Sequence, residues 1–182
     1  MKAFVMVLTT LFFTTLTAQV KKVTIQASGL TCSMCSNSIN KSLKSLPYVE
    51  KVMANIKTSS FDVTFKPNTV VNFDQLMKKV KDAGFFVAKF TAVVHFEKQK
   101  VESDDHVVNQ NMTYHFLNVK KQEIDGEQTL QLLDKGYVPA KDFKKNAGFT
   151  EMECYKTGVA GTCCKKIKNV SASSRIFHVT LI

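Results

Sequence analysis

Cys32 and Cys35, in the stretch Gly29-Leu30-Thr31-Cys32-Ser33-Met34-Cys35, are the residues of this chain best placed to do chemistry. Two thiols separated by two residues can turn both sulfurs toward one point when a strand ends before them and a helix begins at the second. Thiolates select Cu(I), Zn(II) and other thiophilic ions over hard, oxygen-seeking cations. Redox dithiols and half-sites for zinc share the spacing, so the surroundings have to decide. No His, Asp or Glu stands between Gly29 and Pro47. An ion here would therefore have two sulfurs and few other ligands, which suits Cu(I) better than Zn(II), an ion that takes four. Hg(II) also accepts two thiolates in a line. A low coordination number leaves room for an incoming thiolate, so the pair is suited to handing metal over. Cys35 at a helix start is favoured as thiolate by unpaired N–H groups and the positive end of the helix dipole. Met34 is expected to face solvent or pack locally rather than to ligate.

A second group of candidates lies near the other end: Cys154, the adjacent Cys163 and Cys164, and His178. Adjacent cysteines rarely bridge each other because the intervening peptide strains the disulfide. A disulfide from Cys154 to one of the pair would leave an odd thiol; a soft-metal site drawn from these residues is the alternative reading. His95, His106 and His115 are scattered along the chain and receive no role.

The elements that must hold the first pair are legible. Val23, Ile25 and Ala27 alternate with Lys22, Thr24 and Gln26, the period of a half-buried strand. Cys35, Ile39, Leu43 and Leu46 then recur at helical spacing, ending before Pro47. Val52, Ala54 and Ile56, a turn at Thr58-Ser59-Ser60, and Phe61, Val63 and Phe65 predict a hairpin. Asn72 with Gln75 predicts the capped start of a second helix carrying Phe73, Leu76, Met77 and Val80, stopped by Gly84. A last strand is expected from Phe85 to about Val94. The order is βαββαβ, an α+β ferredoxin-like arrangement with both helices on one face of an antiparallel sheet. The hairpin directly after the first helix departs from the thioredoxin-like order, which weighs against the alternative of a thiol–disulfide oxidoreductase.

With the cysteine loop after the first strand, and Ala83-Gly84-Phe85 before the last, residues 20–92 resemble the heavy-metal-associated domain of copper chaperones, metal-transporting P-type ATPases and periplasmic mercury-binding proteins. Leu30 stands where that family usually has Met, a change of similar volume that keeps the packing beneath the loop. The resemblance implies metal binding at Cys32 and Cys35, and an aromatic, Phe85, beside the loop where it would shield the metal from water.

Residues 95–182 resemble no family. Thr113 to Lys121 and Glu127 to Leu133 read as strands joined through Asp125-Gly126, a dipeptide favoured in tight hairpins. Pro139 opens a short helix through Asn146, and Phe149 to Tyr155 and Arg175 to Ile182 read as further strands. The expectation is a small, mostly antiparallel β domain, with its boundary between Ala92 and Asp105. The resulting division is 1–18, 19–94 and 95–182.

Residues 1–18 carry the pattern of a secretory signal peptide: Lys2, an apolar and threonine-rich run, and Leu16-Thr17-Ala18 before the cut. That run is shorter than a membrane span needs, and none of spanning length follows. Export to the periplasm or cell exterior is expected, with Gln19 as first mature residue. Of a formal net charge of +10, most lies early: residues 19–92 have eleven Lys against four acidic residues, and residues 93–182 thirteen Lys or Arg against eleven. Lys41, Lys44, Lys78, Lys79 and Lys81 would favour an acidic metal donor or acceptor protein; no nucleic-acid-binding motif is present. The sequence thus predicts an exported protein, not an enzyme, that sequesters or transfers Cu(I), with Hg(II) or another thiophilic ion as alternative cargo.

Overall fold

The computed structural model describes residues 20–30, 33–164, 170–171 and 173–182. The segment read as a signal peptide lies outside the described residues, as do Thr31 and Cys32.

The first half follows the predicted order: β1 (Val20–Ser28), α1 (Ser33–Lys44), β2 (Val49–Asn55), β3 (Ser60–Phe65), α2 (Phe73–Asp82) and β4 (Phe86–Val101). The apolar members of most of these patterns point inward: Val23, Ile25, Ile39, Leu43, Phe61, Val63, Leu76 and Val80 are all completely buried. β2 departs from its predicted alternation: Val52 is buried, but Ala54 is exposed and Ile56, 67% exposed, lies past the end of the strand. The Asn72 side chain accepts a hydrogen bond from the Gln75 backbone N–H at 3.0 Å, capping α2. At the other end Gly84, at φ +89°, turns the chain, while the Phe85 N–H donates to the Val80 carbonyl and the Gly84 N–H to the Lys81 carbonyl. This is the Schellman closure, which needs a left-handed residue and so favours glycine. The helices lie side by side, with Ser42 Oγ donating to the Lys79 carbonyl at 2.7 Å.

β4 does not stop near Val94 but continues to Val101, running through the residues where the sequence placed a domain boundary. Its second half pairs with β7 (Gln122–Leu132), beyond which come β8 (Ile176–Leu181), β6 (Met112–Phe116) and β5 (His106–Asn109). All eight strands form one sheet in the order β2-β3-β1-β4-β7-β8-β6-β5; β6 and β8 run parallel and the other neighbours antiparallel.

Three expectations for the second half are corrected. Asp125-Gly126 is not a hairpin turn: both residues lie inside β7, where Gly126 at φ +72° sits beside a register shift against Phe96 and Gln99 of β4. A glycine in this conformation serves a bulge as well as a turn. The strand expected over Thr113–Lys121 ends at Phe116. Phe149 to Tyr155 form no strand; α3 (Ala140–Asn146) leads into a 3-10 turn at Ala147–Phe149, and α4 (Cys154–Thr157) begins inside that interval. Gly158, left-handed at φ +73°, closes α4, its N–H bonding back to the Cys154 carbonyl at 2.7 Å.

The two halves share aromatic packing. Phe73 of α2 meets Phe90 and Phe177 edge-on at 5.4 and 5.2 Å, and Phe90 meets Tyr137 at 5.0 Å. Above them Arg175 grips Asp74 of α2 through Nε at 3.0 Å and the buried Asp134 through Nη1 at 2.9 Å.

Candidate functional site and a buried cysteine–histidine cluster

β1, α1 and the end of α2 position the cysteine loop. Ser28 Oγ donates to the Phe86 carbonyl at 3.3 Å, tying the end of β1 to the start of β4. Gly29, at φ +82° with no atom near the position of a Cβ, then turns the chain away from the sheet. Leu30 packs against the core, as a Met of similar volume would. Cys35 falls half-buried in the first turn of α1, a helix with no acidic residue in that turn and with Lys41 and Lys44 in its last. A thiolate at Cys35 meets the positive end of the dipole with no acidic residue in that turn to oppose it. Met34 is 81% exposed and turned away from the protein. Phe85, set by the Schellman closure, is partly buried against the core.

On β8, β6 and β5, toward one edge of the sheet, residues far apart in sequence converge. The registers place His106 of β5 opposite His115 of β6, and His115 opposite His178 of β8. Side chains in register on neighbouring strands share a face, so the three imidazoles form a row: His106 and His115 stack at 4.0 Å, and His178 meets His115 edge-on at 5.0 Å. α4 and the 3-10 turn Thr162–Cys164 lay three free thiols over this row. Cys154 Sγ is 3.7 Å from His115 Nδ1 and 3.9 Å from His106 Nε2. Cys164 Sγ is 3.7 Å from His106 Nε2 and 3.4 Å from Cys163 Sγ.

Of the residues the sequence singled out here, Cys154, Cys163 and Cys164 come together, with ligand atoms within 4.8 Å of one another. His178 stands behind His115 instead. Its Nδ1 and backbone N–H are both engaged by Asp134, at 3.0 and 2.8 Å, and its Nε2 is buried with no hydrogen-bond partner. The residues that sequence reasoning passed over are His106 and His115. His95 remains apart, on β4 beside Asn109, whose side-chain amide donates to the His95 carbonyl.

Burial disfavours charge on both imidazoles and on two of the three thiols. Burial first, and then the neighbouring imidazoles, hold His115 down at about 3; burial likewise lowers His106. Burial pushes the thiols of Cys154 and Cys164 up. His115 Nε2 lies 3.1 Å from Asp104 Oδ1. A carboxylate only accepts, so Nε2 carries the proton and Nδ1 turns a lone pair toward Cys154.

Residues 24–86 match the family model of the heavy-metal-associated domain. This segment belongs to that family. The match stops short of β5 and everything after it. Over 57 residues the chain is 39% identical to the copper-transporting ATPase RAN1 of Arabidopsis thaliana, a stretch that is 31% of this chain and 6% of the transporter. Over 72 residues it is 35% identical to a copper-exporting P-type ATPase of Staphylococcus saprophyticus, 40% of this chain and 9% of that one. The chain therefore spans less than a tenth of the length of either relative. Among solved structures it is similar to the yeast copper transporter domain Ccc2a, studied apo and Cu(I)-loaded, at 32% identity, covering 36% of this chain and 88% of that one with a TM-score of 0.33. Among the described residues, no helix is long and apolar enough to cross a membrane.

Proposed function

We propose that the chain carries Cu(I) between the thiolates of Cys32 and Cys35 and exchanges it with a partner protein, after export directed by residues 1–18. One observation carries the reading: the CxxC pair falls inside the matched heavy-metal-associated segment, whose sequence relatives are named for copper transport. The chemistry agrees with it. Cys35 meets a helix start free of acidic side chains, and the intervening Met34 is exposed, so two sulfurs make the coordination shell. A two-sulfur shell suits Cu(I) and leaves an approach open for a third sulfur from a donor or acceptor. Phe85, partly buried against the core after α2, is the aromatic that would shield the bound ion from water. The lysines of α1 and α2 supply the field that draws in an acidic partner surface.

Anaerobic Cu(I) titration against a competing chelator tests the reading. The reduced protein should lose one tightly bound Cu(I) when Cys32 and Cys35 are both replaced by Ser, with its circular dichroism unchanged. Equal binding by the double variant would sink the assignment. A dithiol oxidoreductase would instead reduce insulin catalytically, and turnover no faster than that of a free thiol is expected. Intact mass of the protein recovered from the exported fraction should begin at Gln19.

A further inference from the structure

We propose that His106, His115, Cys154 and Cys164 form a second, closed metal site that holds one four-coordinate Zn(II), separate from the Cys32–Cys35 pair. The separations between ligand atoms carry the proposal. A tetrahedral ion with Zn–S near 2.3 Å and Zn–N near 2.0 Å sets its ligand atoms about 3.3 to 3.8 Å apart along the edges. The two Cys154–imidazole separations are 3.7 and 3.9 Å, and that from Cys164 to His106 is 3.7 Å. They lie at or just beyond the length of such edges, and the ligand atoms fall into two close triads, His106–His115–Cys154 and Cys154–Cys163–Cys164, that share Cys154; drawing His106, His115, Cys154 and Cys164 onto one ion needs a small turn of the stacked imidazoles.

The composition of the site is equally specific. Two thiolates and two imidazoles are a donor set for a tetrahedral, borderline-soft ion rather than for a hard cation. His115 is already oriented as a ligand: Asp104 holds the proton on Nε2 and leaves the Nδ1 lone pair facing Cys154. A carboxylate behind a ligating imidazole is the usual outer-shell arrangement at zinc. His115, Cys154 and Cys164 are buried, with His106 half-exposed. Enclosure by four protein ligands leaves no open position, which suits a resident ion and not a cargo. Binding releases the two thiol protons, one from each cysteine, so affinity rises with pH. Cys163, half-buried with its sulfur 3.4 Å from that of Cys164, stands beside the site as a spare thiol. The unpartnered Nε2 of His178 lies one ring further in, behind His115.

The test uses the full chain with Cys32→Ser and Cys35→Ser, reduced and kept anaerobic, with Co(II) as the spectroscopic probe and Zn(II) as competitor. The expected result is one equivalent of Co(II) showing the intense visible bands of a tetrahedral ion and sulfur-to-cobalt charge transfer, bleached by one equivalent of Zn(II). His106→Ala and Cys164→Ser should each weaken Co(II) binding by at least about tenfold with circular dichroism retained, and Cys163→Ser should leave it within a few-fold. Three results would overturn the proposal: no tetrahedral Co(II) spectrum in this parent, which asks nothing of the folding of any further variant; a spectrum indifferent to both His106→Ala and Cys164→Ser; or a Cys154 disulfide in the peptide map of anaerobically purified protein. A second ion taken up as Cu(I) alone, unaffected by His106→Ala, would also overturn it.

Discussion

Asp104 touches no sulfur, yet its carboxylate decides which nitrogen of His115 keeps a proton. Asp104→Ala should therefore weaken Zn(II) at the buried cluster by about 10- to 100-fold, while Asp104→Asn, which retains an accepting oxygen, should lose much less; competition with a chromophoric chelator reads both. Cu(I) at Cys32 and Cys35 should be unchanged in either variant. Gly84 makes a different kind of point. Nothing lies within 4 Å of the position a Cβ would occupy, so Gly84→Ala costs only the left-handed backbone at φ +89°. That strain is about 1 to 2 kcal/mol, measurable as a lower denaturant midpoint with an unchanged slope. The helix that carries Cys35 was legible in the sequence because Cys35, Ile39 and Leu43 recur at helical spacing. His106 and His115 were not, since each meets its partners only through strand register, across 48 residues from His106 to Cys154. His178 was legible as a histidine near cysteines, but the same register places it one strand too far in, on Asp134.

Elements α1 and α2 carry the lysines that set how a partner approaches. Replacing Lys41, Lys44 and Lys78 by Glu should slow Cu(I) exchange with an acidic donor domain by about tenfold at low salt and flatten its salt dependence, with Cu(I) affinity nearly constant. The Lys78–Asp82 pair lost in that variant is exposed on both sides, so it contributes little to stability. An unaltered exchange rate would leave these lysines as a solvated face. Most helices and strands of the first half could be read from the sequence because they bury one face and show the other, so period and burial coincide; β2, which buries only Val49 and Val52, is the exception. The second half loses that correspondence. All five residues of β6 are buried, which erases alternation, and β5 is only four residues long. Asp125-Gly126 has the composition of a tight turn but serves a bulge inside β7, and Cys154 and Tyr155 are buried by one short helix rather than by a strand.

For the molecule as a whole, the heavy-metal-associated part and the residues after it share one sheet and one aromatic cluster. Asp134 is 3% exposed and holds both Arg175 and His178. Asp134→Ala leaves Arg175 with Asp74 alone and the buried Nδ1 of His178 without its partner, a loss of about 1 to 3 kcal/mol; a global denaturation curve should show it in a single transition. A fragment ending at residue 94 leaves Phe73 without Phe177 and Phe90 without Tyr137, so it should unfold at lower denaturant than the full chain even with Cu(I) bound. On the proposed reading, an open two-sulfur carrier follows β1, and a closed four-ligand site lies over β5 and β6 at the far edge of the same sheet. The most direct test of that carrier is X-ray absorption at the copper edge on the full chain, saturated first with Zn(II) and then given one equivalent of Cu(I). A copper shell of sulfur without imidazole scattering, abolished by Cys32→Ser with Cys35→Ser, is the predicted result. Imidazole in the copper shell, or the same spectrum from the double variant, would contradict it.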